Sequence, residues 1–117
     1  MMALLVSVSV QAQPELRFFN WSDYMDQKLI TQFKNKTNIQ VKEVFYESDD
    51  ERDDILLHTE RANIDIIVVN GAMVDSYGKR GWLEPINDEL VPNRKNLYSH
   101  WQDAFSSTKD YGIPYFW

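Results

Sequence analysis

An α/β fold with a mainly parallel sheet is predicted by three features of this chain. Apolar runs of strand period alternate with runs of helical period in the order βαβαβα. The third apolar run, Ile64-Asp65-Ile66-Ile67-Val68-Val69, is almost continuous and β-branched, the pattern of a strand buried on both faces beneath helices. The first run, Leu16 to Asn20, passes at once into Trp21-Ser22-Asp23-Tyr24. That cluster sits at the carboxyl end of a strand, where ligands collect in open parallel sheets.

The elements follow in order. Met1 to Val10 is apolar and dotted with serine, and Val10-Gln11-Ala12 fits a small-x-small cleavage signal. Residues 1–12 therefore read as the remnant of an export signal, and 13–117 as the folded domain. The run is too short to span a bilayer, and since it lacks a basic region the true start is expected upstream of Met1. A buried first strand is the other reading; against it, the core strand pattern starts only after Pro14.

Strand Leu16–Asn20 is followed by a helical pattern, Leu29, Ile30 and Phe33, which fades over 35–38. A second strand is expected over Ile39–Phe45. Ser48 and Glu51 have capping-box spacing, and Asp49 and Asp50 suit the first turn of the helix they open. That helix should carry Ile55, Leu56 and Thr59 inward and end before Asn63. The third strand, Ile64–Val69, ends at Asn70-Gly71, read as a strand-to-helix turn and not a hairpin, since no alternating strand follows. A short helix, Met73–Lys79, closes at Gly81. Right-handed crossovers then point the first and third strands the same way, so Trp21–Tyr24 and Asn70–Met73 are expected on one rim. Past Trp82 to Ile86 the pattern dissolves into a loop with a helical turn near Asn93–Leu97, and Trp101, Ala104 and Phe105 are expected to anchor it. An extended aromatic run, Tyr111 to Trp117, closes the sequence.

Composition narrows the function. A chain of 117 residues is long enough for a core, and its formal charge of −6 argues against nucleic acid, which calls for a basic patch. There is no cysteine, so disulfides and thiolate metal sites are excluded. No cofactor or metal is expected: the acidic residues 49–54 lack the glycine and ligand period of a calcium loop, and no His-x-x-x-His occurs. There is no Gly-x-Ser-x-Gly elbow, and no nucleophile–base pair can be picked out, so an enzyme is not the favoured reading. Asn20-Trp21-Ser22 and Asn35-Lys36-Thr37 match the glycosylation tripeptide, a pattern frequent by chance.

The rim chemistry can be sorted by charge. Helix amino-termini favour anions, but neither rim segment carries Lys or Arg, no phosphate-binding loop occurs, and Asp23 would repel an anion. Two aromatic faces beside a carboxylate suit an organic cation. The alternative is an edge of core aromatics, with Asp23 serving the start of the helix.

Taken together, Asn20-Trp21-Ser22-Asp23-Tyr24, Phe45-Tyr46-Glu47-Ser48, Ile64 to Val69 and Tyr111-Gly112-Ile113-Pro114-Tyr115-Phe116-Trp117 stand in the order and spacing of a known group. In them the sequence resembles the periplasmic spermidine/putrescine-binding proteins, the solute-binding components of polyamine ABC importers. The resemblance implies one three-layer lobe of a type II periplasmic-binding-protein fold, its second lobe missing. It implies that Trp21 and Tyr24 form aromatic walls against a polyamine's methylene chain, that Ser22 and Asp23 take a terminal ammonium group, and that Asn70 lines the rim after the third strand. Asn70 stands where the family usually has Ser, and Ala72 at a position that can be aromatic in relatives; both leave the choice of polyamine open. The chain resembles roughly the first third of such a protein and is expected to be a fragment, binding polyamines weakly or not measurably alone. The implied partners are a polyamine in the periplasm and the membrane permease of an ABC importer. A membrane signalling receptor is the alternative, because some relatives report their ligand to one. An enzyme on the same fold and a rim that merely packs are the other rivals.

Overall fold

A computed structural model describes residues 12–58, 63–102 and 111–115. Residues 1–11, nearly all of the expected export signal, lie outside the described residues, as do Thr59, Ala104, Phe105, Phe116 and Trp117. The chain divides into two compact units, the first running to Ile67 and the second starting at Val68.

The first unit holds the sheet. Strand β1 is Glu15–Trp21, helix α1 is Gln27–Thr37, strand β2 is Gln40–Tyr46, helix α2 is Asp49–His58 and strand β3 is Ile66–Ile67. All pairing is parallel, in the order β2-β1-β3, so β1 is central. Glu15 to Trp21 lies opposite Gln40 to Tyr46, one residue longer at each end than the apolar run of β1 predicts. Cross-strand partners share a face, so Phe18, Asn20 and Glu43 lie on one side and Phe19, Trp21 and Tyr46 on the other. Gln27 of α1 reaches Glu43 on the first face, and Arg52 of α2 lies over Tyr46 on the second. Helices on opposite faces of the sheet give the three expected layers. Phe18, Phe19, Tyr46 and Leu56 form the apolar core, with the Phe19 and Tyr46 rings edge to face at 4.8 Å.

Local chemistry sets the helix ends. Asp26, with extended backbone, accepts a hydrogen bond from the Lys28 N–H at 2.8 Å and opens α1. Asn38 closes it in the left-handed conformation, its N–H donating to the Lys34 carbonyl. The capping box of α2 forms as its spacing predicts: Ser48 Oγ accepts from the Glu51 N–H at 3.1 Å, and the Glu51 carboxylate reaches back to the Glu47 N–H at 2.8 Å.

Two expectations for this unit need correction. The third strand is not Ile64–Val69 but a two-residue pairing, Phe18 with Ile66 and Phe19 with Ile67. Nor is it buried on both faces, because Ile66 is 47% exposed. Asp65 explains the late start: its carboxylate accepts from the Arg17 N–H at 2.7 Å, occupying a donor that a longer ladder would use. The second strand is shifted by one residue, so Tyr46, not Phe45, is its buried aromatic, and Phe45 is exposed.

The second unit is built on helix α3, Gly71–Lys79, which starts at the expected strand-to-helix turn with Asn70 as its cap. Val74, Tyr77 and Gly78 are its buried residues, and the Tyr77 ring lies 5.1 Å from Trp82. Gly81, at φ 69°, supplies the left-handed residue that ends the element. A 3-10 turn at Pro92–Asn96 agrees with the expected helical turn to within a residue, and helix α4 is Ser99–Gln102. Trp101 is half-buried against His100 at 4.9 Å. Residues 112–115 form no regular strand, in contrast to the extended run expected there.

Candidate functional site

The turn leaving β1 carries four of the five candidate residues. Trp21 is the last residue of the strand, and its carbonyl accepts from the Tyr24 N–H at 3.3 Å, which folds Ser22 and Asp23 into the tip. Asp23 takes φ 61°, a left-handed conformation that Asp and Asn tolerate better than most residues. The tip brings the two rings together: Trp21 and Tyr24 have centroids 6.4 Å apart and planes inclined at 36°. Trp21 is half-buried, and Ser22, Asp23 and Tyr24 are exposed.

The capping alternative for Asp23 is answered by the neighbouring carboxylate. Asp26 caps α1, and no hydrogen bond or ion pair engages Asp23 among the described residues. An exposed, unengaged carboxylate in the turn that joins two rings supplies the groups an ammonium ion would recognise. Asn70 lies in the second unit, where its Oδ1 accepts from the Met73 N–H at 3.2 Å and opens α3. Its side-chain carbonyl therefore already serves the helix.

Three residues around the turn were not read from the sequence as functional. Tyr46 is fully buried and packs its ring 4.7 Å from Trp21. Burial pushes its phenol above the usual tyrosine value, and a hydrogen bond from Arg52 partly opposes the shift. Arg52 is 1% exposed, although it lies in the acidic first turns of α2. The signal was present: Arg52 precedes Leu56 by four residues and so shares its inward stripe. Asn20 is fully buried and donates to Glu43 Oε1 at 3.3 Å, while Gln27 donates to Glu43 Oε2 at 2.6 Å. This chain ties the base of the turn to β2 and α1, and it removes Asn20 as a glycosylation acceptor. Among the described residues, no cluster of His, Asp and Glu could hold a metal, and no helix is long and apolar enough to cross a membrane.

A parallel sheet layered by helices, with an exposed turn at the carboxyl end of its central strand, fits one lobe of a solute-binding protein. Comparison with known proteins agrees. No protein-family model matches the chain. It is similar to the spermidine/putrescine-binding periplasmic protein of Escherichia coli K12, at 31% identity over 103 residues, covering 87% of this chain and 30% of that protein. It is also similar to a norspermidine sensor of Vibrio cholerae, at 26% identity over 115 residues, covering 97% of this chain and 31% of that protein. In three dimensions it matches the spermidine/putrescine ABC transporter substrate-binding protein of Streptococcus pneumoniae. The TM-score there is 0.77 at 24% identity, over 88% of this chain and 32% of the other. The chain thus has the fold of part of a periplasmic-binding-protein structure and spans about a third of the length of the curated relatives it matches. By their names, these relatives are two polyamine-binding proteins and a sensor.

Proposed function

We propose that residues 13–117 are the amino-terminal lobe of a periplasmic polyamine-binding protein, with Trp21, Ser22, Asp23, Tyr24 and Asn70 as ligand contacts. The observation that carries this reading is the exposed Asp23 carboxylate in the turn that joins the Trp21 and Tyr24 rings, while Asp26 does the capping. The rings line the methylene chain, and Asp23 with Ser22 accepts from a terminal ammonium group. The work is recognition and delivery, without chemistry on the ligand. Handing putrescine or spermidine to the permease of an ABC importer is the primary role, supported by the similarity to the Escherichia coli protein. The similarity to a norspermidine sensor favours a second output, signalling to a membrane receptor.

A formal charge of −6 attracts any polycation, so the test must separate the site from the general field. Putrescine and spermidine are titrated into the nitrogen-15-labelled chain at constant ionic strength, with magnesium ion and butane-1,4-diol as controls. Shifts are expected at Trp21–Tyr24 and Asn70, with polyamines only, and are expected to vanish in Asp23→Asn and Trp21→Ala. Shifts spread over all acidic residues and reproduced by magnesium would refute the assignment.

A further inference from the structure

We propose that Arg52 is a positioning residue for the Trp21 ring, acting through Tyr46. Its functional meaning rests on Trp21 being a ligand wall; the geometry itself does not.

The Arg52 guanidinium is enclosed, and a buried cation costs several kcal/mol unless it is well partnered. Its partners are Asp49, on Nη1, and Asp53, whose Oδ1 receives both Nε at 3.1 Å and Nη2 at 2.9 Å. Both carboxylates keep water: their side chains are 52% and 37% exposed, against 1% for the arginine. They therefore have no need of Arg52; they serve to hold it. What the held guanidinium meets is Tyr46, with its carbon 5.6 Å from the ring centroid and a hydrogen bond to the hydroxyl. Tyr46 is wedged between Phe19 at 4.8 Å and Trp21 at 4.7 Å, the latter inclined at 59°. No hydrogen bond engages the Trp21 indole among the described residues, so its orientation depends on ring contacts with Tyr46 and Tyr24. A hydrophobic side chain would fill the space of Arg52 but would not fix the rotation of Tyr46, and that rotation sets the plane of Trp21.

The test reads Trp21 directly. Indole N–H signals of the labelled chain are recorded without ligand, with the Trp21 signal assigned by Trp21→Phe. In Arg52→Met, which leaves two solvated carboxylates and a Tyr46 hydroxyl without the guanidinium, the Trp21 signal is expected to move by more than a linewidth while those of Trp82 and Trp101 stay. Lysine cannot reproduce the planar fork, so Arg52→Lys should displace the signal less but visibly. If Arg52→Met does not fold, by circular dichroism, Arg52→Lys decides. An unmoved Trp21 signal in a folded variant overturns the proposal, because a purely structural arginine would lower the melting temperature and leave the indole in place. Where spermidine binds the wild type, its affinity is expected to fall roughly two- to tenfold in Arg52→Met; an unchanged affinity would sever the link to binding. Absence of wild-type binding is what a lone lobe is expected to give and touches the polyamine reading alone, since the ligand-free spectra stand apart from it.

Discussion

Gly78 in α3 places two opposing effects on one atom. A Cβ added there would sit 2.8 Å from Cδ2 and Cε2 of Tyr111 and 3.1 Å from its Cγ. Alanine in a helix is favoured over glycine by up to about 1 kcal/mol, and Gly78 sits near the end of α3, where the gain is smaller. Overpacking costs roughly 1–3 kcal/mol when neighbours must move. Here the approach includes the root of the ring, so rotation about the outer bonds cannot relieve it and the whole ring must shift. The clash should win, and Gly78→Ala is expected to destabilise the chain by roughly 0–2 kcal/mol. The decisive measurement is a double-mutant cycle with Tyr111→Ala, by urea unfolding followed in far-ultraviolet circular dichroism. Without the ring, the same Gly78→Ala should become neutral or stabilising, giving a coupling of about 1–3 kcal/mol. Additivity within about 0.5 kcal/mol would refute the reasoning.

Two further outcomes follow from the first unit. Tyr46 has its phenol raised above 10.0 by burial, so its protonated form is favoured in the fold. The unfolded chain then holds fewer protons above pH 10, and stability, complete below that pH, should fall as pH rises toward the raised folded value. The slope is up to about 1.4 kcal/mol per pH unit, and Tyr46→Phe should remove it in alkaline melts; an unchanged profile would sink the assignment. Asn20→Asp would set a buried carboxylate 3.3 Å from that of Glu43, costing about 2–4 kcal/mol at neutral pH. Acidification toward pH 4 should recover much of this loss, because one of the pair must be protonated for both to share the site; equal loss at both pH values would contradict the geometry.

How much of this could be read from residues alone depended on the range of the signal. Capping at Ser48 and Glu51 and the turn at Asn70-Gly71 are local, and both are found where spacing placed them. The alternation of elements gave the parallel order, and β1 lies where its apolar run indicated. The third strand was overestimated because β-branched residues report propensity, whereas ladder length depends on partners, and the Asp65 side chain takes a backbone donor of β1. Among the site residues, the rings of Trp21 and Tyr24 came together as four-residue proximity suggests. Arg52 and Tyr46 escaped because their roles arise only when α2 folds down onto β2, a contact no local pattern encodes. Glu43 likewise gains its role only where Asn20 and Gln27 converge on it.

The central position of β1 has a bearing on how such a lobe changes its preferences over time. Its backbone is secured by a neighbour on either hand, while Ser22 and Asp23 project beyond the last paired residue into water. Substitutions at Ser22, and Asn for Asp23 at its left-handed φ, can alter charge and reach with little toll on folding, whereas changes one or two residues earlier strike the aromatic foundation. On the proposed reading, guest selection and foldedness are thus lodged in adjacent but separable positions.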